Sequence, residues 1–305
     1  YDKGIDATAS VDTFGVKTKV AKIITDGSRA AIAECQVVEE DVLTIDVEAV
    51  GSYALMWTPT MARAGPVGYT VEDGILVADE ESSAGRVPEA LALAAGFSFT
   101  EGIIGSLADI TSMAVCPSRA DVVTVRLAHP EGAAVQRRNV VVNSSCGVCG
   151  GREQLEASIS SVEERTDRVR MTLDDLAAVR ARLQDRQSVF RHTGGTHGAI
   201  LFDGQMSILA VAEDLGRHNA LDKVIGHRLL SGEGFSGCGV FISSRISYEM
   251  VAKAVRAGLE VVAAISAPSS LAIELAETHG VTLCGFVRDK RATIFSHPHR
   301  IVVGD

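Results

Sequence analysis

Val240-Phe-Ile-Ser243, Ser247-Tyr-Glu-Met-Val-Ala-Lys-Ala-Val-Arg-Ala257, Val261-Val-Ala-Ala-Ile-Ser266, Ser270-Leu-Ala-Ile-Glu-Leu-Ala-Glu-Thr-His279 and Val281-Thr-Leu-Cys-Gly-Phe-Val287 follow one another with little between them. Short β-branched runs suit strands, while the intervening segments carry apolar residues at helical spacing, and Gly258 stops the first of those helices. Strand–helix alternation of this kind predicts an α/β fold, a mixed sheet flanked by helices on both faces. Downstream, Ala292 to Ser296 supplies another strand. Upstream, Asp203-Gly204 between Ala199–Phe202 and Met206–Val211 is a hairpin signal, followed by a helix from about His218 to Leu230. Thr172-Leu-Asp-Asp175 reads as a helix cap before Leu173, Leu176, Val179 and Leu183, predicting a helix to about Arg191.

The N-terminal half reads differently. Residues 1–37 mix Gly, Ser, Thr and charge around one apolar stretch, Val20 to Ile24, and are expected to be in part a loose arm. Val42 to Val47 and Tyr53 to Trp57 are strand-like, ending at Thr58-Pro59. Pro88 opens a helix over Ala90 to Ala95, which Gly96 is expected to close. Val122 to Leu127 and Asn139 to Val142 read as strands. The division expected is a smaller β-rich domain at 1–138 and an α/β domain at 139–305.

Bulk properties narrow the function. Hydrophobic residues make up 46% of 305, enough for a full core, and aromatics only 5%, so Val, Ile, Leu and Ala must fill it. With 29 Lys and Arg against 39 Asp and Glu, the net charge of −10 argues against nucleic acid or an anionic membrane as partner. No apolar stretch approaches the roughly 20 residues that span a bilayer, and no secretory leader is recognisable, so a cytoplasmic protein is expected. Six cysteines over this length do not form a secreted disulfide framework.

Only Cys146 and Cys149 are close together, in Asn143-Ser-Ser-Cys146-Gly-Val-Cys149-Gly-Gly151. Glycines and serines predict an accessible loop, and Arg137, Arg138 and Arg152 are near enough in sequence to favour a thiolate. Four readings fit a lone CxxC: half of a zinc site, a thioredoxin-like dithiol, incidental surface thiols, or a persulfide carrier. Zinc needs two more ligands, and no second CxxC supplies them at ribbon or finger spacing. A thioredoxin motif belongs at a helix start, not amid glycines. A persulfide carrier needs only a mobile, metal-free thiolate, which this loop fits best.

The ordered set Ser145-Cys-Gly-Val-Cys-Gly150, His192-Thr-Gly-Gly-Thr-His-Gly198, Glu213-Asp-Leu-Gly-Arg-His-Asn-Ala-Leu-Asp-Lys223, Ser243-Ser-Arg-Ile-Ser-Tyr-Glu-Met250 and Ser266-Ala-Pro-Ser-Ser-Leu-Ala272 resembles the formate dehydrogenase accessory sulfurtransferases. The match covers residues 139–305 well and the N-terminal half in patches, while residues 61–88 depart from the family pattern. The resemblance implies a cytidine-deaminase-like C-terminal domain. It implies a sulfurtransferase that receives sulfur from a cysteine desulfurase and delivers it to the molybdenum or tungsten bis(pterin guanine dinucleotide) cofactor of formate dehydrogenase. It further implies Cys146 as the persulfide-forming residue, Cys149 as its partner, a homodimer, and no resident metal. Zinc deaminase chemistry is not implied: Ser145, where those enzymes have Pro, precedes Cys146.

A guanine-dinucleotide pterin ligand carries pyrophosphate, which helix starts and fixed cations receive. Ser266 and Ser269 lie where a strand passes into a helix, and Ser244 and Arg245 repeat that arrangement one strand earlier. Both clusters are expected at carboxyl ends of strands, the ligand edge of open α/β sheets. Ordinary capping by serine explains the same residues. Phe286, Val287, Arg288, Asp289, Lys290 and Arg291 match the family's cofactor-holding segment. Arg217 and His218 follow Gly216 at another helix start and join the cofactor-binding candidates, with His192 and His197 behind them. Two other functions compete with sulfur transfer: a chaperone that binds cofactor or apo-dehydrogenase without chemistry, and a nucleotide-binding enzyme that shares only the fold.

Overall fold

The structure, a computed structural model, describes residues 14–25, 29–61, 67–72, 75–78, 87–132, 140–142 and 166–303. A six-stranded sheet organises the C-terminal half. Its strands are β10 (His197–Asp203), β11 (Ile208–Asp214), β12 (Cys238–Ile242), β13 (Val261–Ala264), β14 (Thr282–Arg288) and β15 (Arg291–Ser296), in the order β11-β10-β12-β13-β14-β15. β12, β13 and β14 are parallel and the flanking pairs antiparallel, giving the expected mixed sheet. Alternate residues along each strand serve different layers. Ile200, Phe202, Phe241, Val261, Ala263 and Cys284 meet Leu176, Val179 and Leu183 of helix α2 (Leu173–Arg186). On the other face Leu201, Val240, Ile242, Val262 and Leu283 join a core shared with α4 (Arg217–Leu230), α5 (Tyr248–Arg256) and α6 (Ser270–Thr278).

Two local departures from the expected pattern have clear causes. The helix predicted to reach Arg191 breaks at Gln187, and a separate α3 (Ser188–Thr193) begins there. Glu213 accounts for the break: its carboxylate accepts Val189 N at 3.0 Å, Phe190 N at 2.9 Å and Thr196 Oγ1 at 2.9 Å, satisfying first-turn donors of the new helix. The tight Asp-Gly turn is widened instead, since Asp203 Oδ1 accepts both Gln205 N and Ser207 N and the strands pair as far as Phe202↔Ile208.

A seven-stranded sheet forms the N-terminal half: β6 (Ile75–Ala78), β5 (Val67–Glu72), β7 (Ile110–Cys116), β8 (Arg119–Leu127), β3 (Asp41–Val47), β4 (Gly51–Trp57) and β9 (Val140–Val142), in that spatial order. β9 pairs with β4, so this sheet draws a strand from beyond residue 138. Within residues 1–37, expected to be in part a loose arm, the described residues form an antiparallel ribbon of β1 (Val16–Thr25) and β2, which runs on to Val38 (Arg29–Val38). Lys22, on the face of Val20 and Ile24, interrupts the alternation and conceals the strand pattern.

Helix α1 (Glu89–Thr100) joins the two halves, and every one of its residues is buried. Gly96 does not end it. A Cβ on Gly96 would lie 1.8 Å from Asp222 O, and one on Gly226 would lie 1.8 Å from Ala92 O, so the two glycines let α1 and α4 cross backbone to backbone. Tertiary contact overrides the stop signal. Gly226→Ala is expected to lower stability by about 2–3 kcal/mol through forced separation of the helices. An unchanged urea midpoint would contradict that packing.

Two buried lysines fasten the same junction. Lys223 Nζ donates to Thr58 O (2.8 Å), Glu89 Oε1 (2.9 Å) and Glu213 O (3.0 Å), and lies 2.8 Å from Asp214 Oδ2. Lys253 Nζ reaches Thr100 Oγ1 and Glu101 Oε1 at 2.8 Å and Asp222 Oδ2 at 2.9 Å. Burial alone would discharge them, but the surrounding carboxylates raise both, Lys253 above its ordinary value by the charges of Asp222 and Glu101. No described helix is long and apolar enough to cross a membrane.

Candidate functional site: one edge of the six-stranded sheet

β12, β13 and β14 run in one direction and β11 in the same sense, so their carboxyl ends share an edge with the start of β10. Backbone contacts tie the loops along this edge into a continuous rim. Ser243 and Gly198 exchange bonds, Ser243 N donating to Gly198 O and Gly198 N to Ser243 Oγ, each at 2.9 Å. Ile246 N donates to Ala267 O, and Ser269 N returns to Ile246 O, both at 3.0 Å. Phe286 N donates to Ser266 O at 3.2 Å, and Arg288 Nη1 to Ile265 O at 2.8 Å. The segments carrying Ser244, Arg245, Ser266, Ser269 and Phe286 to Arg291 therefore meet, although they are distant in sequence.

Arg217 and His218 open α4 at this edge. His218 is buried, its Nε2 2.8 Å from Oε2 of Glu249 in the first turn of α5. Burial would raise Glu249, but the His218 contact and the charges of His218, Lys253 and Arg217 hold it below its ordinary value. The pair thus fastens two helix starts together around an ionised carboxylate. His197, opposite Asp214 in the β10–β11 register, is held below its ordinary value by burial first and then by Arg217, Arg245 and His218. Arg217 Nε and Ser247 Oγ are buried without a hydrogen-bond partner among the described residues. Two cations, two imidazoles and two unused donors make this edge suited to an anion.

Phe286 stands out. Its φ is +53°, a conformation that costs a bulky residue strain, and its ring remains 37% exposed beside Phe295 at a centroid distance of 6.3 Å. Gly285 before it is hemmed in by Phe295, Pro268 and Ser266 O, and a bulge separates Gly285 from Arg288. The constrained backbone displays the ring at the rim.

Other candidates are otherwise engaged. The Val287 side chain belongs to the core against α2, leaving only its backbone for a ligand. Asp289 pairs with Arg180 of α2. Ser269 caps α6 by accepting Ala272 N at 3.3 Å, the ordinary serine role, and Ser244 Oγ donates to Arg245 O at 3.0 Å. Lys290 and Arg291 are exposed, with Arg291 opposite Arg288 across the β14–β15 turn. Cys146 and Cys149 lie outside the described residues. Of the four cysteines described, Cys238 and Cys284 are buried, and burial pushes the Cys284 thiol up to about 12. Cys35 and Cys116 are half-buried; the Ser118 hydroxyl, 3.4 Å away, holds Cys116 below its ordinary value. Sequence reasoning assigned no role to Glu249, although a carboxylate inside the Ser243–Met250 motif, near an Arg-His pair at another helix start, was the available signal.

The family model described as the FdhD/NarQ family matches residues 82–302. A sulfur carrier protein FdhD from Thermoplasma acidophilum is 37% identical over 261 residues, covering 84% of this chain and 89% of that protein. Another of the same name, from Mycolicibacterium paratuberculosis, is 41% identical over 221 residues, 68% of this chain and 81% of that one. A crystal structure described as a formate dehydrogenase accessory protein, from Desulfotalea psychrophila, superposes with a TM-score of 0.69 at 22% identity, over 94% of this chain and 99% of its own. That likeness is one of fold. The match over residues 82–302, with relatives this similar over most of their length, makes the chain a member of the FdhD/NarQ family.

Proposed function

We propose that this protein is a sulfur carrier of the cytoplasm, serving formate dehydrogenase through a persulfide on Cys146, with a bis(pterin guanine dinucleotide) cofactor as its substrate. The name borne by its relatives supports the carrier role. The observation that carries the substrate assignment is the rim itself: Arg217, with its unpartnered Nε, Arg245 and the unpartnered Ser247 Oγ lie where strands end, on the sheet edge that also carries the exposed Phe286 ring.

In the first step the Cys146 thiolate attacks the terminal sulfur of a cysteine desulfurase persulfide. The S–S bond breaks, the desulfurase thiolate leaves, and Cys146 holds the sulfur. In the second, the Cys149 thiolate attacks the inner sulfur of that persulfide; the pair is oxidised to a disulfide and the terminal sulfur departs as hydrosulfide. A dithiol reductant restores both thiols. When bound, the cofactor supplies the metal centre that takes up the sulfur. Arg217 and Arg245 neutralise phosphate charge, Arg217 Nε and Ser247 Oγ donate, and Glu249 fixes the orientation of His218. Phe286 stacks on the guanine. Two copies of the chain work as a homodimer.

Guanosine diphosphate is the probe for this edge. Stacking on an aromatic side chain is worth about 1–3 kcal/mol, so Phe286→Ala is expected to weaken its binding roughly tenfold by calorimetry. Inorganic pyrophosphate should bind both proteins equally. No binding of the nucleotide to the unaltered protein would remove the substrate assignment; equal weakening of both ligands would remove the stacking role.

A further inference from the structure

The segment Asp214-Leu-Gly-Arg-His-Asn219 runs from the end of β11 into the first turn of α4, and the N-terminal half grips it. Three bonds reach it from the end of β4. Asn219 Nδ2 donates to Met56 O at 2.7 Å, Thr58 N to Asp214 Oδ2 at 3.1 Å, and Leu215 N to Thr58 Oγ1 at 3.3 Å. These partners stand 156 to 163 positions apart in sequence. Thr58, Asp214 and Asn219 are all buried.

Asp214 converts that grip into a turn. Its Oδ1 accepts Gly216 N at 2.8 Å and Asn219 Nδ2 at 2.9 Å, while Oδ2 takes Thr58 N and lies 2.8 Å from Lys223 Nζ. A carboxylate that bonds the amide two residues ahead closes an Asx turn. Gly216 then opens α4, whose first turn no side chain caps, and Arg217 is the next residue. Asp214 and Asn219 hold each other and His218 meets Glu249 at 2.8 Å, whereas Arg217 Nε is buried without a partner among the described residues. Fastening the two halves does not require the Thr58 hydroxyl. The backbone of Thr58 serves that purpose, its N on Asp214 and its O accepting Lys223 Nζ at 2.8 Å, and Glu89 joins Lys223 to Thr60 N. The hydroxyl instead reaches the turn itself, at the amide two residues before Arg217.

We infer that Thr58 and Asp214 are positioning residues for anion binding at the rim, setting the turn that presents Arg217 to a diphosphate. This rests on the substrate reading given above and gives the N-terminal half a part in it. The end of β4 holds the anion-binding residue in place without itself touching the ligand. A guanidinium held ready at its site loses less freedom when the anion arrives, so its bond contributes more to binding.

Calorimetry of the full chain with guanosine diphosphate tests this. Asp214→Asn sets an amide NH2 against the donors around it and can cost the fold, so Thr58 carries the test. Thr58→Val, which keeps the volume and both backbone bonds but removes the hydroxyl, is expected to raise the dissociation constant about tenfold, as when one hydrogen bond to a charged group is lost. Thr58→Ala, with the same expected loss, decides the matter should valine disturb the fold. Thr58→Ser restores the hydroxyl and should bring the constant back to within about threefold of the unaltered protein. In an Arg217→Ala background Thr58→Val should have no further effect, because its action passes through Arg217. Unaltered affinity without the hydroxyl, a serine variant as weak as the valine one, or a loss that persists without Arg217 would each overturn the positioning role and leave the substrate assignment standing. Absence of binding by the unaltered protein would overturn both.

Discussion

Cys146→Ala is expected to leave formate dehydrogenase inactive in cells that depend on this protein, a loss of at least a hundredfold. A persulfide needs a sulfur atom to grow from, and alanine has none. Cys238 and Cys284 are buried, and a thiol pushed up to about 12, as Cys284 is, supplies almost no thiolate near neutral pH. Cys149→Ala should be milder if its task is to release sulfur from Cys146, since an external thiol can attack the same bond. Guanosine diphosphate binding should be untouched in both variants, which separates loss of chemistry from loss of the substrate edge. A Cys146→Ala/Cys149→Ala variant that still supports full dehydrogenase activity would reduce the protein to a docking factor.

The largest expected effect on stability lies far from the cysteines. Lys223 is fully buried, with Asp214 and Glu89 against it and the carbonyls of Thr58 and Glu213 completing its contacts. Lys223→Ala strands two carboxylates in a buried junction, and breaking a buried pair in this way costs about 3–5 kcal/mol. Lys223→Met, which retains most of the volume, should recover little, because the loss is one of charge balance. The change should appear as a lowered urea midpoint, partly relieved at acidic pH, because burial raises Asp214 above its ordinary value and lets it take up a proton there. A variant as stable as the parent would mean that the two halves are held by apolar packing alone.

The C-terminal sheet was legible because its signals are local. Val240 to Ser243 and Val261 to Ser266 are too short and too β-branched to be helices, and Gly258 marks a helix end that the structure retains with φ +70°. Gly96 carries the same signal and means something else, since its role depends on Gly226, which lies 130 residues away in sequence. The ribbon went unread for a related reason: Lys22 stands on the face of Val20 and Ile24 and breaks the apolar alternation, and only cross-strand pairing organises it. At the rim, serines and arginines were recognisable by residue type, whereas the bond from Phe286 N to Ser266 O and the His218–Glu249 contact arise only when separate strands and helices are brought together. Capping of α6 by Ser269 shows the limit of residue type as a guide, because a serine before a helix serves backbone and ligand alike.

Sulfur transfer requires Cys146 to hold sulfur. Incubation with a cysteine desulfurase and cysteine, followed by intact-mass and peptide analysis, should find one added sulfur atom on Cys146, removed by a dithiol and absent from Cys146→Ala. Sulfur found only on another cysteine, or no added mass while the desulfurase turns over, would contradict it.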